Sequence, residues 1–132
     1  MAGAGDLTAW QKHANDARSG QLYLSDEQVA RECLAACNQR IEDLQEVTRL
    51  VQVVQTVSGF GDFDMAHALE GKFKLQAIGD DNSISQVIQD HVDTVKAMRE
   101  VMAISLARLS GQDYTNATTL NGIIDQNPAP KK

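Results

Sequence analysis

Apolar residues recur at alternating steps of three and four along two long stretches of this chain. Leu34, Cys37, Ile41, Leu44, Thr48 and Val51 trace the first seam, and Val29, Val47, Leu50, Val54 and Val57 broaden it. Ile84, Ile88, His91, Val95, Met98, Met102, Ser105 and Leu109 trace the second. A period near 3.5 places each set on one face of a helix, so the pattern predicts long helices over about 25–57 and 83–110. The β-branched run from Val51 to Val57 has local strand character, but its helical phase continues unbroken from upstream.

Start and stop signals bound both helices. Ser25 with Gln28 forms a capping box, and Leu24 with Val29 stands at staple positions; Ser83 with Gln86 repeats the box before the second helix, and Gly111 ends it. A short helix over about 7–18 follows from Leu7, Trp10, Ala14 and Ala17, opened by Asp6 and closed by Ser19-Gly20. Another, over about 64–75, follows from Ala66, Leu69 and Phe73. Between the long helices lies Ser58-Gly59-Phe60-Gly61-Asp62-Phe63, where the glycines release the backbone and the aromatics are expected to pack across helix ends.

The expected fold is all-α. It is an antiparallel long helical hairpin with short accessory helices, bundle-like by itself or a four-helix bundle with a partner. Residues 1–112 form a single helical domain. Residues 113–132, with a polar run and Pro128 and Pro130, read as a flexible tail. Antiparallel pairing about the central break sets Thr48 across from His91, Cys37 across from Met102 and Leu34 across from Ser105. A Thr48–His91 hydrogen bond within the apolar seam would then fix the register.

The 132 residues carry a formal charge of −6, and no basic run precedes Lys131-Lys132, which argues against nucleic-acid backbone binding. No stretch reaches the roughly 18 apolar residues of a membrane span, and the N-terminus has no Sec-type signal, so a cytoplasmic origin is expected. Cys33 and Cys37 share a helical face and read as small core residues. No spacing suggests a nucleophile, a phosphate loop, a metal set or a cofactor, so the chain does not read as an enzyme. Its functional surface is expected at the seam, with Ile88, Val95, Met98 and Met102 as a partner interface and Phe60 and Phe63 at the turn.

The Gly-Phe-Gly turn in 58–63, the run from His91 through Met98-Arg99-Glu100, and Tyr114 just past the second helix together carry a family likeness. Over roughly residues 25–118 the chain resembles the actinobacterial type VII (ESX) secretion-associated proteins of the WXG100/ESAT-6-like group. Phe60-Gly61 stands where that group has Trp-x-Gly, and Thr118 stands where its tyrosine signal has an acid. The resemblance implies pairing of the hairpin with another helical protein, with Tyr114 in an export signal and exit by a signal-peptide-independent type VII route. Two other readings stay open from the residues: a structural homodimer, and a small ligand- or metal-binding helical bundle.

Overall fold

A computed structural model describes residues 4–54, 67–69, 71, 72 and 83–130. Four helices organise them: α1 (Ala4–Arg18), α2 (Glu27–Val54), α3 (Ile84–Leu109) and α4 (Ala117–Gln126). Residues 67–69 and 71–72 are also helical, inside the span expected for a second short helix. No strand occurs among the described residues. Phe60, Phe63 and the central break lie outside them.

The long helices form the expected hairpin, and its apolar clusters give the register. Val51 groups with Ile88 and Val92, Ile41 and Cys37 with Val95, and Leu34 with Met102 and Leu106. Chain numbers fall on α2 as they rise on α3, which is antiparallel packing close to the register that the capping signals imply. One polar pairing differs. The Thr48 hydroxyl donates to the Leu44 carbonyl of its own helix at 3.0 Å, and His91 lies half-buried on the flank of α3. The α3 seam runs instead through Ile88, Val92 and Val95. A hydroxyl one turn from a carbonyl finds a local acceptor without the entropy of aligning a cross-helix partner.

The core is α3. Residues 101–107 are all buried, because α1, α2 and α4 cover successive faces of that stretch. Ala97, Ala103 and Ala107 on α3, with Ala14 and Ala17 on α1, keep the crossings tight. The N-terminal helix runs parallel to α3: its end at Gly20 accepts a hydrogen bond from Arg108, and Arg18 makes a forked ion pair with Glu100, its Nε 2.6 Å from Oε1.

Two glycines close these helices in the same way. Gly20 (φ +82°) and Gly111 (φ +72°) sit one residue past the cap, with Gln21 N–H donating to Asp16 O and Gln112 N–H to Ala107 O, both at 2.8 Å. These six-to-one bonds over a left-handed residue satisfy carbonyls that the helix leaves open. At the helix starts, Ser83 caps α3 as expected, accepting from Gln86 N–H at 3.2 Å. Helix α2 begins one residue later than its expected Ser25 box: Asp26 is the cap, accepting from Val29 N–H at 3.0 Å. A carboxylate beside the serine takes the role because it accepts more strongly at the positive helix end.

Residues 113–130 correct the expectation of a flexible tail. Asp113 accepts from Thr115 in a tight turn, which holds its carboxyl below the usual range, and Asn116 then caps α4 through Thr118 and Thr119 N–H. Ile123 is buried, and Leu120 and Ile124 pack against the same cores as Leu34 and Ile104. The Asn38 amide donates to the carbonyls of Ile124 (3.3 Å) and Asn127 (2.7 Å), while its oxygen accepts from Arg99 at 3.1 Å. Three helices thereby meet at one side chain.

At about 1.5 Å per residue, α2 and α3 are roughly 42 and 39 Å long, whereas α1 and α4 reach about 22 and 15 Å. Both short helices lie at the Ala107 end. Towards Val51 and Ile88 neither α1 nor α4 covers the hairpin, and Val47, Leu50 and Ile84 are exposed there.

Candidate functional site

Helices α1 and α2 both pack on α3 but hardly touch each other, so a groove opens between them with α3 as its floor. It encloses about 520 Å³. Val95, Met98 and Met102 form the floor, Trp10 the α1 wall, and Cys33, Ala36 and Cys37 the α2 wall. Asp6, Arg40 and His91 line it as well. Trp10 packs edge-on against His13 at 5.2 Å and separates this groove from a smaller depression of about 220 Å³ beside Leu22, Tyr23 and Leu24.

The cysteines and three of the expected interface residues, Val95, Met98 and Met102, meet here in an altered role. Ile88, Val95 and Met102 are buried within the hairpin itself, so a partner cannot use them as an open seam; Met98 is half-buried on the groove floor. The open apolar surface lies further along, at Val47, Leu50 and Ile84. Cys37 is buried beside Val95 and Met98, and desolvation, reinforced by the neighbouring Cys33, pushes its thiol up to about 11. A thiol held protonated by burial is a packing group. Both cysteines are free, and among the described residues no three His, Cys, Asp or Glu side chains are arranged to hold a metal ion.

Tyr114 is half-buried where α3 turns towards α4, not presented on an open tail. Its ring and that of Tyr23 flank the Arg108 guanidinium, with centroids 5.3 and 4.0 Å away, and Arg108 donates to Gly20 O at 2.9 Å. This tyrosine–arginine corner joins the end of α1 to the end of α3. The residues that build it carry no periodic signal, because Tyr23 and Tyr114 both lie outside helices. Ser105, read as a seam residue, is fully buried, accepting from Leu24 N–H and donating to Val101 O, each at 2.8 Å. Among the described residues, no buried side-chain nitrogen or oxygen lacks a hydrogen-bond partner.

Among the described residues no helix is long and apolar enough to cross a membrane. Comparison with family models, with curated proteins and with solved structures finds no match. The arrangement is that of a helical scaffold with an apolar groove and an exposed apolar end.

Proposed function

We propose that this chain is a helical binding protein that pairs with another helical protein through the far end of its hairpin. The observation that carries the reading is the exposure of Val47, Leu50 and Ile84 on the part of α2 and α3 that α1 and α4 do not reach. Val47 and Leu50 are three apart and so share a helical stripe. Apolar side chains grouped at one end of a long hairpin are the usual anchor for a second pair of helices. The narrower reading, association with type VII secretion, rests on the resemblance of residues 58–63, 91–100 and Tyr114, and it is supported by the long antiparallel hairpin. The packing of half-buried Tyr114 against Arg108 favours a role as partner or targeting protein over one in which that tyrosine is read as an extended signal.

Co-expression with helical proteins encoded beside it, followed by light scattering, tests the proposal. A one-to-one heterodimer that Val47→Glu and Leu50→Glu abolish without loss of helicity is expected. A monomer in every pairing overturns the reading, and a homodimer dispersed by the same substitutions replaces it with self-association.

A further inference from the structure

Arg40 stands apart from the other arginines. Of the six in the chain, Arg18 pairs with Glu100, Arg31 with Glu27 and Arg49 with Glu46; Arg99 donates to Asn38 and Arg108 to Gly20 O. Arg40 has no such partner among the described residues, and it stands exposed on the rim of the groove, forming no ion pair with Asp6 on the same rim. The imidazole of His91 lines the same cavity. Below the rim the surface turns apolar: Trp10, Val95, Met98 and Met102.

A volume of about 520 Å³ lies within the range of small-molecule sites between helices, roughly 300–1,000 Å³. Methionine side chains on the floor adapt to a flexible chain. A guanidinium at the edge of an apolar trough supplies two parallel donors to a carboxylate. We propose that this groove binds a long-chain carboxylate of about ten carbons, its tail along Met98 and Met102 against Trp10 and its head on Arg40. The neutral and cationic counterparts with the same tail lack the group that Arg40 recognises. Asp6 opposes an anionic head across the rim, so it limits affinity.

Trp10 is the only tryptophan in the chain, so its emission reports directly on the groove. Decanoate, decanol and decyltrimethylammonium, each below its micellar concentration, are titrated into the full chain while helicity is followed by circular dichroism. Decanoate is expected to give a saturable shift in Trp10 emission, with decanol weaker and the ammonium weakest. Arg40→Ala should weaken decanoate about tenfold and leave decanol unchanged, as loss of one charge-assisted contact predicts. Ala36→Phe, at an exposed position on the groove wall, should block both while keeping the fold. Equal responses to all three head groups, no effect of Arg40→Ala, no saturable response, or a response that tracks loss of helicity would each overturn the proposal.

Discussion

The backbone N–H of Leu24 donates to the hydroxyl of Ser105 at 2.8 Å, joining positions 81 residues apart. That hydroxyl in turn donates a hydrogen bond to Val101 O, so a buried serine inside α3 holds the link that leads from α1 to α2.

Ser105→Ala should leave the Leu24 amide part-buried without its acceptor, which costs about 1–3 kcal/mol. Urea denaturation measures the loss, and hydrogen exchange should accelerate at Leu24 ahead of the rest of α2. Unchanged exchange at Leu24 would show that the bond does not hold the link.

The two closing glycines should differ in cost. A Cβ at Gly20 would stand 2.9 Å from the Tyr114 hydroxyl, whereas at Gly111 it meets nothing within 4 Å, and both have positive φ. Gly111→Ala therefore bears only the left-handed strain, about 1–2 kcal/mol, and Gly20→Ala adds displacement of Tyr114 from the Arg108 corner. Thermal melts of the two variants should rank Gly20→Ala lower, and Gly20→Ala with Tyr114→Phe should recover part of the difference.

Asn38→Ala removes the donor to Ile124 O and Asn127 O together with the acceptor for Arg99. Loss of stability of about 1–3 kcal/mol is expected, concentrated in α4. Exchange protection over residues 117–126 should fall well before that of residues 101–107, and a uniform loss across the chain would count against this junction as the latch.

Burial keeps the Cys37 thiol protonated up to about 11, above its ordinary value near 9. The folded chain holds that proton where the unfolded chain has released it, so the contribution to stability is present in full below pH 9. It falls as pH rises through the window from about 9 to 11. Cys37→Ala should flatten this part of the denaturation profile. In the native protein at pH 8, iodoacetamide should label Cys33, which is half-buried, ahead of Cys37.

The hairpin was legible because its signals are periodic and local. Val51 meets Ile88 where a count outward from the central break sets them, and Gly20, Ser83 and Gly111 punctuate the helices as their chemistry requires. Helix α4 was harder, since its ten residues contribute one buried side chain, Ile123, and its order depends on Asn38 and on the cores it joins. The available signal was Asn116 as a cap, followed by Leu120, Ile123 and Ile124 on one face. The groove was not legible. It arises from two helices that pack on a third without meeting, and that spacing is set by tertiary packing of alanines, not by the period of either helix.

The enclosure of residues 101–107 by helices from both sides of the hairpin also bears on how the chain is made. As the polypeptide leaves the ribosome, α1 and α2 emerge long before α3, the surface on which both are packed. The core closes only after Ile123 has emerged and α4 has settled against Leu34 and Leu106. Folding is therefore completed late, and until then the apolar faces of α1 and α2 are open to whatever helical surface the cell offers.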